Sequence, residues 1–309
     1  MMNIKNISAL VLCCVLSVSI TYAQSGAMSF IRLSRDPVSA GMGFAGVASI
    51  SETAYSSFRN SSVIPLSEDR MDIGLSWQNW APQGAGSSNF NFGSSFKAND
   101  RFGLAIGADV QSGEEYSQTD LNGNSTGSFS PLEMILCSGV GIKIIDGLSL
   151  GLNARYSSQK LAKDASYSAF SGDLFASWHI RSVNLTAGVS SIGSSVKSAD
   201  GTSFSLPSSA TVGADWSIGL SEIQKVNLVA DADYFFSGAV SAAIGAQYSF
   251  RNLIFLRAGY HIGSDKSALP SFASAGLGVK FKEFKLNAAY ILASEALAGT
   301  LTVGLGYSF

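Results

Sequence analysis

The chain has 309 residues, is 46% hydrophobic and 14% charged, and carries a formal net charge of -2. That charge content lies well below the roughly 25% of a soluble domain, and the near-neutral balance excludes an electrostatic case for nucleic acid. Past the first 23 residues no apolar run reaches the roughly 18 residues of a membrane helix, which excludes a helical membrane protein.

In chain order, Lys5 precedes an apolar run, Ile7 to Ile20, followed by Thr21-Tyr22-Ala23-Gln24. A basic start, a short apolar core and a small-x-small end predict a secretory signal peptide over 1–23, cleaved after Ala23. Cys13 and Cys14 lie inside that core, and no small, well-placed residue precedes them to favour a lipoprotein. The mature chain then keeps Cys137 alone, which excludes an internal disulfide and a cysteine metal cluster and fits a small core filler.

Next comes "GMGFAG", Gly41 to Gly46, which matches the dinucleotide fingerprint G-x-G-x-x-G. The fingerprint works only after a strand and at the start of a helix within a βαβ unit. Here it follows Asp36-Pro37 and precedes every strand-like segment, and Val47 to Phe58 opens no clean amphipathic helix. No nucleotide and no other cofactor is expected. Gly41, Gly43 and Gly46 are instead expected to serve close packing of an N-terminal plug.

From about residue 70 the chain alternates with period two. In Leu148 to Tyr156, Leu148, Leu150, Leu152, Ala154 and Tyr156 hold one face, while Ser149, Gly151, Asn153 and Arg155 hold the other. This is strand periodicity. Fourteen such segments lie near 70–80, 88–98, 101–111, 132–144, 148–158, 167–181, 183–194, 205–218, 224–236, 239–250, 253–262, 270–282, 284–294 and 300–309. Most have the length of about ten residues that a tilted strand needs to cross a bilayer. Long connections such as 111–130, 195–204 and 263–269 alternate with tight ones at Asp146-Gly147, Arg181-Ser182, Arg251-Asn252 and Lys282-Glu283. Ser237-Gly238 on the loop side and Gly219 to Ile223 on the turn side fit less well.

The predicted fold is all-β, a transmembrane outer-membrane β-barrel of about fourteen antiparallel strands. Closure leaves no unpaired edge in hydrocarbon. Leu150, Leu277, Val303 and Leu305 are expected to face lipid, and Trp77, Trp80, Trp178, Tyr248, Tyr260 and Tyr307 to form an aromatic girdle. The terminal Phe309 resembles the insertion signal of outer-membrane barrels. The opposite phase places Asp72, Asp109, Asp173, Asp215, Asp231, Asp233, Lys97, Lys143, Arg155, Arg257 and Lys280 in the lumen. A hydrated, mutually paired network anchoring a plug is one reading of these charges. An ion- or ligand-selective constriction is the other. Asp231 and Asp233, roughly 7 Å apart on one strand face, lack a third ligand for a metal, and His179 and His261 stand alone in their segments. No nucleophile–base arrangement is specific enough to suggest an enzyme.

Residues 29–66, "SFIRLSRDPVSAGMGFAGVASISETAYSSFRNSSVIPL", resemble the N-terminus of the PorV/PorQ family within the FadL-like barrels. "FLRAGY" at 255–260 and "ASAGLGVKFKEFKLNAAY" at 273–290 are similar to that family too. Where the family has Asn-Pro-Ala, this chain has Asn60-Ser61-Ser62. The resemblance implies an N-terminal plug or hatch over 24–69 inside a barrel over 70–309. It also implies the outer membrane as location and lipid as surroundings. As function it implies a part in type IX protein secretion, with secreted cargo proteins or other secretion components as partners. The alternative, from the wider FadL-like group, is a transporter of hydrophobic small molecules. A structural barrel without throughput is a third class. The Ser/Gly/Asp-rich loops, with Glu114, Glu115, Tyr116 and Asp120 in the longest, favour cargo handling.

Overall fold

The computed structural model describes residues 26–309 apart from 82–85, 120–121, 164, 199–200, 264–266, 268 and 295. The expected signal peptide, residues 24–25 and Asp120 lie outside the described residues. Fourteen strands form one closed antiparallel barrel. They are β1 (Met71–Trp80), β2 (Ser87–Lys97), β3 (Phe102–Gly113), β4 (Leu132–Ile145), β5 (Leu148–Ala162), β6 (Ala165–Ile180) and β7 (Val183–Gly193), continuing with β8 (Ser209–Ser221), β9 (Gln224–Phe235), β10 (Val240–Phe250), β11 (Ile254–Ile262), β12 (Phe272–Phe281), β13 (Phe284–Ala293) and β14 (Leu301–Ser308). β1 pairs with β14 through Leu75 opposite Leu305, which closes the wall.

The phase follows the alternation in the sequence. Leu150, Leu277 and Leu305 are 43%, 61% and 51% exposed on the outer face, whereas Ser149 and Thr302 on the inner face are 0% and 1%. The outer wall is thus an apolar belt. The inner wall is largely polar or glycine, interrupted by buried apolar residues such as Ile135, Phe175, Val229 and Phe235, and its alternation is what holds each register. The short turns share one end of the barrel. Arg251 and Asn252 both take positive φ there (54° and 50°), the backbone twist that two-residue hairpins need.

Four expectations change. The long connection 111–130 carries strands of its own: Tyr116–Thr119 pairs with Ser125–Phe129 as a hairpin above the wall. Nearly all its residues are exposed, so neither face had to be apolar and no alternation marks it. A second small ladder joins Val196–Lys197 to Ser203–Phe204. Gly219 to Ile223 is mostly strand, with a register shift between Gly219 and Ser221 absorbing the extra residue. Trp80 is not in an outer girdle. It shares the inward parity of Ser76 and Gln78, is 8% exposed, and stacks on Phe44 with ring centroids 6.2 Å apart.

The N-terminal segment lies inside the barrel. At the long-loop end the Ala27 amide donates to the Ser205 carbonyl (2.9 Å). At the opposite end the Arg70 and Met71 amides donate to the Phe309 carbonyl (2.7 and 3.0 Å). Between them run two 3-10 turns, Ser29–Arg32 and Ser61–Leu66, and two single helical turns, Pro37–Ala40 and Ser56–Arg59. Most of these residues are buried, including Phe30, Ile31, Ala45, Ser57 and Ile64. Among the described residues no helix is long and apolar enough to cross a membrane.

Candidate functional site

The segment meets the wall in two ways. Against β3–β6 it makes close contact. Gly139, Gly141 and Gly151 face Ser61 and Ser62 so tightly that a Cβ on any of them would collide with that pair. Asn60 caps the turn that presents these serines, its side-chain oxygen accepting from the Ser62 amide (3.0 Å). Its Nδ2 donates to the Val47 carbonyl (2.9 Å). The Asn60-Ser61-Ser62 departure noted in the sequence therefore sits at a tightly packed junction. Ser62 also shares a 2.6 Å hydrogen bond with Ser177 of β6. Cys137 lies beside Ser57 (3.2 Å), buried and without a disulfide partner.

The GMGFAG stretch follows the turn Pro37–Ala40, capped by Asp36, whose carboxylate accepts from the Val38 and Ser39 amides (2.8 and 3.2 Å). Gly41 abuts Gly276 of β12, and a Cβ at Gly41 would lie 3.0 Å from the Gly276 Cα. Gly43 has φ +69° and presses on the Tyr260 backbone, where a Cβ would lie 2.6 Å from the amide nitrogen. Its own amide donates to Ser274 Oγ (2.9 Å). Gly46 has φ +119°, and its amide and that of Val47 donate to Asp231 Oδ2 (2.8 and 2.9 Å).

The inward charges take specific partners. Arg35 of the segment pairs with Asp109 (2.8 Å), both nearly fully buried. Arg155 pairs with Asp173 (2.8 Å) and also donates to the Phe58 carbonyl (3.0 Å). Arg32 pairs with Asp233 (2.9 Å), and Asp215 accepts from Ser49 Oγ (2.7 Å). Asp72 accepts from the Thr53 amide and hydroxyl (3.0 and 2.8 Å). Arg257 donates to Gln247 and Asn287 along the wall (2.6 and 2.9 Å). Lys97 donates to the Ser67 carbonyl (2.8 Å), whereas Lys143 reaches only the turn residue Asp146 (3.8 Å). Lys280 sits half-buried near the short-turn end of β12. Lys285, which the sequence did not single out, lies within 3.3, 3.8 and 3.5 Å of Glu52, Asp69 and Asp72. Burial pushes the Glu52 and Asp69 carboxyls up from their ordinary range, and Lys285 opposes that rise.

Asp173 also accepts from the Ser191 amide (2.7 Å), and Ser191 holds φ 55° where β7 slips against β6. The carboxylate satisfies the amide that this bulge turns inward.

On the β6–β11 side the contact is interrupted: Met42 and Gly43 lie on β10 and β11, but the segment leaves a gap beside them. A cavity of about 120 Å³ opens there. Phe44, Tyr55, Phe58, Phe175, Phe235, Ala243 and Leu269 give it apolar walls. Arg32, Arg35, Arg59, Arg155, Asp36, Asp173, Asp231, Asp233 and His261 give it charge and hydrogen-bonding capacity. Asp231, Ala243 and His261 are consecutive cross-strand neighbours on β9, β10 and β11. His261 is 7% exposed and its ring lies nearly parallel to Phe272, centroids 5.0 Å apart. His179 instead shares a 2.6 Å hydrogen bond with Asn184 outside the cavity. Among the described residues no group of three His, Cys, Asp or Glu could hold a metal ion.

No protein-family model matches the chain, and no curated protein matches it. Solved structures do. The Pseudomonas putida toluene transporter TodX aligns with a TM-score of 0.61 at 15% identity, over 88% of this chain and 97% of that one. The Ralstonia pickettii toluene transporter TbuX gives 0.59 at 12% identity, over 88% and 97%. A Pseudomonas aeruginosa FadL homologue gives 0.53 at 12% identity, over 93% and 97%. At such identities the likeness is one of fold alone, that of a closed antiparallel barrel.

Proposed function

We propose that the chain is an outer-membrane barrel that passes small, largely apolar molecules through its interior, with the N-terminal segment as its plug. The observation that carries this reading is the internal cavity between segment and wall, whose aromatic and aliphatic walls are joined by four arginines and four aspartates. Internal sites that combine apolar walls with placed polar groups are how proteins hold small ligands. The fold neighbours named as toluene transporters support the same reading. The apolar outer belt supports the bilayer as its surroundings. In this reading Gly41, Gly43 and Gly46 seat the plug, the inward ion pairs anchor it, and Phe309 serves insertion.

The PorV/PorQ reading, with cargo proteins as partners, is favoured by one feature, the exposed hairpin from Tyr116 to Phe129 that stands above the wall. The solved-structure neighbours favour transport over it. Uptake of a radiolabelled monoaromatic compound decides between the two. Cells carrying the chain in the outer membrane are expected to accumulate the compound faster than cells without it. Equal rates would remove the transport reading.

A further inference from the structure

On one arc of the outer wall, an apolar groove and a pair of exposed cations stand one above the other. The groove, of about 720 Å³, runs across the outward face of β13, β14, β1, β2 and β3. Trp77, Phe90, Phe92 and Leu286 border it. Phe90 stands out from the wall at 62% exposed, whereas the short Ala108 and Val303 are half-buried between the larger side chains. The cations lie at the short-turn end of the same strands. Arg70, just before β1, sets its guanidinium 5.8 Å from the centre of the Phe96 ring on β2. Arg101, just before β3, sets its own 6.0 Å from the Phe102 ring. Both rings face outward, 38% and 41% exposed. Phe96 lies opposite Leu104, the next outward position after Phe102. The two rings are thus diagonal neighbours, about 7–8 Å apart at Cα. Among the described residues neither arginine enters an ion pair, whereas Arg32, Arg35, Arg59 and Arg155 of the interior all do. Along β2 the groove begins at Phe92 and reaches Phe90, four and six positions above Phe96. At about 3.3 Å per residue and a strand tilt of roughly 40°, that is about 10 to 15 Å of depth, which fits within half of a hydrocarbon core about 30 Å thick.

We propose that this arc binds an anionic two-chain phospholipid of the leaflet at the short-turn end, with the phosphate on Arg70 and Arg101 and one acyl chain in the groove. The inference stands on the barrel lying in a bilayer and holds whatever the interior carries. A guanidinium offers a planar fork of N–H donors that matches phosphate oxygens. Stacking on a ring holds each guanidinium at the membrane boundary and leaves its charge unneutralised. Cations so placed attract anionic headgroups over zwitterionic ones. The competing occupant of an apolar outer face is a second copy of the chain. A two-fold contact about an axis normal to the bilayer would bring the same arginines of both copies together, at the cost of like-charge repulsion. Charge therefore favours the lipid.

The test is native mass spectrometry of the full chain, released from detergent after incubation with equal amounts of dioleoyl phosphatidylglycerol and dioleoyl phosphatidylcholine. The unaltered chain is expected to retain phosphatidylglycerol about tenfold or more over phosphatidylcholine. Arg70→Gln combined with Arg101→Gln should bring that ratio to within about twofold. Arg251→Gln removes a cation held in the same way over Phe250 (5.4 Å) on β10, away from the groove, and should leave the ratio unchanged. Ala108→Phe fills the groove and should lower retention of both lipids severalfold at an unchanged ratio. Equal retention of the two lipids by the unaltered chain would overturn the site. An equal fall of the ratio in Arg251→Gln would overturn it too, by showing a general basic rim. Lipid-free dimers that Ala108→Phe separates would overturn it in favour of a second copy. The substituted positions lie on the outer surface, and the heat-shifted band on detergent gels confirms that each variant is folded. The comparison of the two lipids on the unaltered chain needs no variant.

Discussion

The two sides of the barrel interior solve the same problem in opposite ways. On the β3–β6 side, glycines at 139, 141 and 151 let the Ser61–Ser62 backbone lie directly on the wall. Around the cavity, Phe175 of β6, Phe235 of β9 and His261 of β11 project inward and leave it unfilled, while Gly245 and Gly259 of β10 and β11 still lie against Met42 of the segment. The difference teaches that the size of the inward side chain, more than the strand count, decides where a barrel this wide is filled and where it is hollow. A small-residue wall makes an anchor and a large-residue wall makes a site.

The strongest way to break this arrangement lies at its border. Arg155 and Asp173 are paired at 2.8 Å, both nearly fully buried, and both line the cavity while Arg155 also holds the Phe58 carbonyl. Asp173→Ala leaves a buried guanidinium unpaired and is expected to cost about 3–5 kcal/mol. The measurement is the temperature at which the heat-shifted band appears on detergent gels, and an unchanged transition would contradict the assignment.

A change on the outer face tests the phase that separates both inner sides from lipid. Leu150→Arg is expected to cost about 2–4 kcal/mol in a bilayer-folded barrel. Equal losses for Leu150→Arg and Leu150→Ala in a lipid refolding titration would show that Leu150 does not face hydrocarbon.

The anchor itself is tested by Gly151→Val, which drives a branched side chain into Ser62. The barrel ladder around it keeps its pairing, so the loss should be local, about 1–3 kcal/mol as for other overpacked sites. It should appear as faster proteolysis within residues 26–69. Val in place of Gly219, which has open space around its Cβ position, is the matched control and should leave that cleavage rate unchanged.

The smallest effect belongs to Lys143→Ala. Its partner Asp146 is fully exposed in a turn, 3.8 Å away, and exposed pairs contribute about 0–1 kcal/mol. A shift of the thermal transition as large as that of Asp173→Ala would show that this lysine belongs to the buried network after all.

The outer wall was legible because hydrocarbon imposes one rule on every outward position. Leu150, Leu277 and Leu305 obey it, and the alternation fixed strand number and phase from the residues alone. The inner wall was legible only as a list of charges. Arg35 meets Asp109 across 74 positions of sequence and Lys285 meets Glu52 across 233, separations that no local pattern encodes. Trp80 misled because an aromatic at a strand end reads equally well as girdle or as filler, and only parity places it under Phe44. The hairpin from Tyr116 to Phe129 was illegible for the converse reason: solvent on both faces imposes no pattern at all. The glycines of GMGFAG were visible, but their counterparts Gly276 and the Tyr260 backbone were not.

The path of the segment has a mechanical consequence. It enters at Ala27 beside Ser205 and leaves at Arg70 beside Phe309, running the length of the barrel. A load applied to Gly26 from the long-loop end meets the attachments one after another, first Ser205, then Asp233, Asp109 and Asp231. The wall, by contrast, shares any load among whole ladders of parallel hydrogen bonds. Under tension the segment is therefore built to peel in a series of small ruptures, like a zip drawn from one end, while the cylinder around it stays intact.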